Sequence, residues 1–121
     1  VSHLRELRDR NDEKGYDEPL WHAMVEAGLT GILVPEEHGG IGFGLVGAGL
    51  VAREIGRNLS VTPFLSTAVL GATALAAVGN AEQQQTWLPA IADGGVITAL
   101  TADADATHRP GAITTNAHTA A

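Results

Sequence analysis

A mainly α protein is predicted, a helical bundle that ends in the first strand of a β domain. Three observations predict it. Apolar residues recur at three- and four-residue spacing in successive segments between residues 19 and 92. Gly, Pro and Asn stand where those segments stop and start. Beyond Gly94-Gly95 the pattern changes to Val96-Ile97-Thr98-Ala99-Leu100-Thr101, whose β-branched content suits a strand.

Residues 1–18 carry ten charged side chains and end in the turn formers Gly15 and Asp17, which reads as a solvated leader. Leu4 and Leu7 allow one short helix within it. Pro19 suits a first helical turn, Leu20, Trp21, Met24 and Val25 share a face, and Gly28 stops the helix. Ile32, Leu33 and Val34 form a short apolar run, a candidate strand, that Pro35 ends. A second helix is expected from near Leu45 to Arg57, with Leu45, Ala48, Ala52 and Ile55 inward and Arg53, Glu54 and Arg57 towards water.

A third helix spans roughly Pro63 to Val78 and stops at Gly79. Asn80 then stands three residues before Gln83, a capping-box spacing that opens a fourth helix. That helix is expected to carry Trp87 and Leu88 inward until Pro89 breaks its hydrogen-bond ladder. Trp21, Trp87, Phe43 and Phe64 all read as core aromatics. A lone strand at 96–101 cannot satisfy its own edges, and the tail offers only Ala112–Thr115 as a partner. The expected organisation is therefore a charged leader at 1–18, a helical domain at 19–94, and the beginning of a β domain at 95–121 whose other strands lie elsewhere.

At 121 residues the chain has room for one domain with a modest core. Its formal charge is −7, and no lysine or arginine occurs between Arg57 and Arg109. Nucleic-acid grooves need clustered cations, so that class of partner is excluded. The absence of cysteine removes disulfides and thiol chemistry and fits a cytoplasmic protein. No signal peptide is expected, because an acid- and arginine-rich run precedes the first apolar stretch. The uncharged segment 58–81 is interrupted by Ser60, Thr62, Pro63, Ser66, Thr67 and Thr73. A bilayer span takes about 20 predominantly apolar residues, so a helix buried in protein is the expectation.

Gly42, Gly44 and Gly47 spell the G-x-G-x-x-G of a dinucleotide-binding turn. That turn needs a strand directly before it and an acid about 20 residues further on. Here seven residues separate Val34 from Gly42, and no acid occurs between Glu54 and Glu82. A tight turn joining two helices is the better reading. Glu36, Glu37 and His38 are a surface turn, since one histidine completes no coordination sphere. His3, His22, His108 and His118 have no partner pattern, and no metal ligands are assigned.

The run Trp21-x-x-Met24-Val25-Glu26-Ala27-Gly28-Leu29-x-Gly31-Ile32-x-Val34-Pro35-Glu36-Glu37-His38-Gly39-Gly40-x-Gly42 resembles the N-terminal helical domain of the acyl-CoA dehydrogenases. Further matching motifs are Arg53-Glu54-Ile55-Gly56-Arg57, Thr62-Pro63-Phe64-Leu65, Glu82-Gln83-Gln84 after Gly79, Trp87-Leu88-Pro89, and Gly94 before the strand. The resemblance covers about residues 19–103. It implies FAD as cofactor, an acyl-CoA substrate, and an oligomer in which the remainder of the enzyme or a second subunit completes the site. It also implies α,β-dehydrogenation of the thioester by a glutamate base from a C-terminal helical domain that this sequence lacks, so no catalytic residue is assigned and the chain alone is expected to be inactive.

Residue by residue, Ala99-Leu100-Thr101 matches the start of the family's flavin-contacting segment. The resemblance implies that Leu100 offers backbone atoms to the flavin, Thr101 its hydroxyl to the pyrimidine edge, and that Thr98 lies near flavin and substrate. Thr107 stands where the family has a serine on the pyrophosphate. Ala102, Asp103 and Ala106 depart from the family's Glu, Pro and Gly, and Asp103 with Asp105 would bring negative charge near phosphates. The small residues of helix three allow close packing or an acyl cavity, whose implied wall is Phe64, Leu65, Val69 and Leu70. Two rivals remain at this stage: a non-catalytic partner subunit of a hetero-oligomeric dehydrogenase, and a free-standing helical interaction module.

Overall fold

The structure, a computed structural model, describes residues 2–10 and 14–101. Five α-helices run in order: α1 Ser2–Asp9, α2 Glu18–Glu26, α3 Gly44–Asn58, α4 Ala72–Val78 and α5 Ala81–Ala92. A π-helical segment, Leu65–Gly71, leads directly into α4, and short 3-10 turns occupy Leu29–Gly31 and Glu36–His38. Among the described residues no helix is long and apolar enough to cross a membrane.

The chain's own chemistry accounts for most helix ends. Asp17 caps α2 by accepting the Leu20 amide at 3.1 Å, and its own amide donates to Val61 O at 2.9 Å, which ties the helix start to the loop after α3. Asn80 and Gln83 exchange the two bonds of a capping box at 2.8 and 2.9 Å, as the spacing predicts. Pro89, however, does not end α5, which continues to Ala92. The bond that proline deletes would have ended on the carbonyl of Gln85, an exposed residue whose oxygen water can serve.

Two apolar clusters hold the elements together. Trp21 and Met24 of α2, Ala48 of α3, and Phe64 and Ala68 beside the π segment pack around Ile32. Leu88 and Ile91 of α5 and Ala72 of α4 pack around Val34. Ile32 and Val34, two residues apart, thus enter different clusters. The candidate strand 32–34 is a buried turn instead, because residues 41–43 fold back over it. Ile41 N donates to Gly31 O, Gly42 N to Val34 O and Phe43 N to Ile32 O, at 3.0, 3.2 and 2.9 Å.

Several expected inward residues face out. The buried side of α3 is Gly47, Ala48, Val51 and Ile55, whereas Leu45 and Ala52 are exposed. Phe43 is 66% exposed and Trp87 47%, so only Trp21 and Phe64 are core aromatics. Residues 96–101 form no strand among the described residues, since no neighbouring segment offers them a ladder edge. The leader carries α1, and its described side chains are mostly exposed. Thr107 and the Ala112–Thr115 partner lie outside the described residues.

A Cβ built on Gly40 would sit 2.0 Å from the Val34 carbonyl oxygen. Gly40→Ala is therefore expected to cost on the order of 3 kcal/mol, whereas Asn80→Ala costs about 1 kcal/mol. Urea unfolding midpoints of the two variants check the ranking.

Candidate functional site

An open hollow lies between α4, α5 and the segment after α5. It measures about 700 Å³ and is lined by Leu75 and Val78 of α4, Trp87 of α5, and Val96, Thr98 and Leu100 among others. No lining residue carries an ionisable side chain. The groove is built to bind apolar or aromatic surface, not to transfer protons. Another hollow, about 410 Å³, lies between α2 and α3 over Leu20, Met24, Val51 and Ile55. Glu54 at its rim is held by Arg53 and Arg57 at 3.2 and 3.4 Å.

The wall segment 96–101 is pinned to the bundle at two points. Val96 N donates to Ala90 O at 3.2 Å. Thr67, fully buried in the π segment, receives the Thr98 amide on Oγ1 at 3.0 Å and donates back to Thr98 O at 3.4 Å. Beyond Thr98, the amides and carbonyls of Ala99, Leu100 and Thr101 have no hydrogen-bond partner among the described residues. They are open to a ligand.

The residues singled out in the sequence separate into two groups. Thr98 and Leu100 line the groove, with Leu100 55% exposed, whereas Thr101 is exposed and not among its lining residues. The Thr98 hydroxyl turns away from the opening: it is buried, unpartnered, and stands where a Gly71 Cβ would be. Phe64 and Val69 pack with the first apolar cluster, whereas Leu65 and Leu70 are 61% and 42% exposed on the π segment. None of these four lines the groove.

Of the small residues of this region, Ala68, Gly71 and Ala72 are buried, Gly71 and Ala74 line the groove, and Ala76 and Ala77 are exposed. Thr67 and Trp87 are the groove-forming residues that sequence reasoning missed. A threonine among alanines signals nothing about its partner, and periodicity alone put Trp87 inside.

The G-x-G-x-x-G glycines form no phosphate cradle. Gly42 and Gly44 turn the chain with φ of 55° and 81°, the segment before them is no strand, and Gly47 lies inside α3 against the Phe43 ring. Glu36–His38 is a surface 3-10 turn, and among the described residues no group of three or more His, Asp or Glu side chains can hold a metal.

The family model described as acyl-CoA dehydrogenase, N-terminal domain, matches residues 2–95. The chain belongs to that family of helical domains. Acyl-CoA dehydrogenase FadE28 of Mycobacterium tuberculosis is 46% identical over 79 residues, 65% of this chain and 23% of the relative. Acyl-CoA dehydrogenase FadE27 of the same organism is 35% identical over 103 residues, 85% of this chain and 27% of the relative. The NADH-dependent acryloyl-CoA reductase of Anaerotignum propionicum is 35% identical over 78 residues, 64% of this chain and 20% of the relative. The chain thus spans about a quarter of the length of the curated relatives it matches. No solved structure gives a significant match.

Because the Gly71 Cα–H side is filled by the Thr98 hydroxyl, Gly71→Ala is expected to cost about 1–3 kcal/mol. Adding Thr98→Ala, which removes the obstructing atom, should recover part of that loss. Denaturant midpoints of the single and double variants measure the coupling.

Proposed function

We propose that this chain is the N-terminal part of an FAD-dependent acyl-CoA dehydrogenase, which removes two hydrogens across Cα–Cβ of an acyl-CoA thioester. The observation that carries the reading is the family match over residues 2–95, joined by a groove that ends in the unbonded backbone of Ala99–Thr101. The donor set fits the cofactor: free amide and carbonyl groups at Leu100 and a hydroxyl at Thr101 suit the polar edge of a flavin ring. When bound, FAD supplies the acceptor for the hydride that leaves Cβ.

The chain's own part is to bind and orient. Leu100 holds the ring through its backbone and Thr101 through its hydroxyl, while Trp87, Val78 and Ile97 offer it exposed apolar surface. Thr98 supports this wall from behind. Thr107 takes the pyrophosphate end in the same proposal. Leu65 and Leu70, exposed five residues apart on the π segment, are the acyl-facing residues, with Phe64 and Val69 packed beneath them.

Proton abstraction next to a thioester needs a positioned carboxylate and a polarised carbonyl. Neither role is assigned to any residue here. Both come from the remainder of the enzyme or a second subunit in an oligomer.

A second reading has its own support. Asp103 and Asp105 follow the groove segment within a stretch, 58–108, that holds no lysine or arginine. Such charge disfavours a pyrophosphate and suits a non-catalytic partner subunit of a hetero-oligomeric dehydrogenase.

The visible spectrum separates the two. Under the leading proposal the intact protein containing this chain purifies with a flavin absorbance band and forms an enoyl-CoA from an acyl-CoA. Protein that stays colourless with added FAD and gains flavin only beside a second polypeptide supports the partner reading. Leu100→Pro, which deletes one amide donor, is expected to weaken FAD binding about tenfold, read by quenching of flavin fluorescence.

A further inference from the structure

The groove wall depends on one side chain outside it. We propose that Thr67 is a positioning residue for the cofactor-binding backbone, holding Thr98 so that the free groups of Ala99–Thr101 face the ligand. The proposal rests on the flavin reading above. Thr67 is fully buried, and its hydroxyl serves both backbone groups of one residue, accepting from Thr98 N at 3.0 Å and donating to Thr98 O at 3.4 Å. A hydroxyl has one proton and two lone pairs, so a single threonine can do this. Among the described residues it does for Thr98 what a neighbouring strand would do.

Three observations separate this from ordinary helix packing. Thr67 is the last hydrogen-bond anchor in the described chain: Leu100 and Thr101 follow it by two and three residues from the pinned Thr98, with no protein partners of their own among the described residues. The Thr98 hydroxyl takes no part, being buried against Gly71 without a partner. Thr67 also sits within the π segment, where the Ala72 amide donates to the Thr67 carbonyl five residues back. π turns are rare in helices and concentrate at functional sites.

The test combines amide hydrogen exchange with FAD titration on the intact protein containing this chain, comparing the unmodified protein with Thr67→Val and Thr67→Ser. Valine keeps the shape and loses both bonds, while serine keeps the hydroxyl. In the unmodified chain the Thr98 amide should exchange at least about tenfold more slowly than those of Ala99–Thr101. Equal rates overturn the anchor without any variant, which covers the case in which Thr67→Val fails to fold. With the helical circular dichroism retained, Thr67→Val should erase that protection and weaken FAD about tenfold, and Thr67→Ser should restore both. Lost protection with unchanged FAD affinity overturns the positioning role and leaves the flavin reading intact. Intact protein that protects Thr98 yet takes no FAD overturns the flavin reading, and the cofactor role of Thr67 with it.

Discussion

The constraint on which this structure depends is the burial of a non-helical turn between two apolar clusters. Thr30, Gly31, Ile32 and Val34 are all buried, and local 3-10 and turn bonds serve the amides of Gly31, Ile32 and Val34 but leave carbonyls to be met from elsewhere. Buried peptide groups without partners are costly, so each must be met by something else. The returning segment 41–43 meets three of them, and Gly40 admits that return because any side chain there would strike the Val34 carbonyl. Thr30 adds the opposite service, donating its hydroxyl to Ala92 O at 2.7 Å and so satisfying a carbonyl at the end of α5. One compact turn thereby joins α2, α3 and α5.

That junction decides where the groove lies. With Thr30 holding the end of α5 and Val34 packed with Leu88 and Ile91, Trp87, one turn before Ile91, is left at the edge of that buried face, 47% exposed. The chain leaving α5 turns through Gly94 and returns across α4, where Gly71 leaves room for Thr98 and Thr67 takes its backbone. The same pattern recurs at both places: a glycine admits a close approach and a threonine hydroxyl does the work of a missing backbone partner. Short helices and irregular segments are thus fastened at few points, which concentrates the effect of single residues.

Much of the fold was legible because it rests on local chemistry. The Asn80–Gln83 capping box, the stop at Gly28 and the span of α3 all follow from residues within one or two turns of each other. The failures were those of direction. Helical spacing marks a stripe in α3, but its buried members proved to be Gly47 and Ala48, with Val51 and Ile55 half-buried and Leu45 left outside. Phe43 and Trp87 are large and apolar, which states a preference for burial without naming a neighbour. Pro89 was expected to end a helix that has water available to its orphaned carbonyl.

What the amino-acid order determined by itself was the helical class, the family resemblance and the positions of most caps, since these depend on contacts within a few residues. The tertiary structure alone decided that 32–34 is a paired turn, that 96–101 borrows a threonine in place of a strand, and that the groove opens beside Trp87. Those outcomes join residues 31 and 62 positions apart, in the Thr67–Thr98 and Thr30–Ala92 bonds. Such partners are set by how whole elements pack, and no periodicity encodes them.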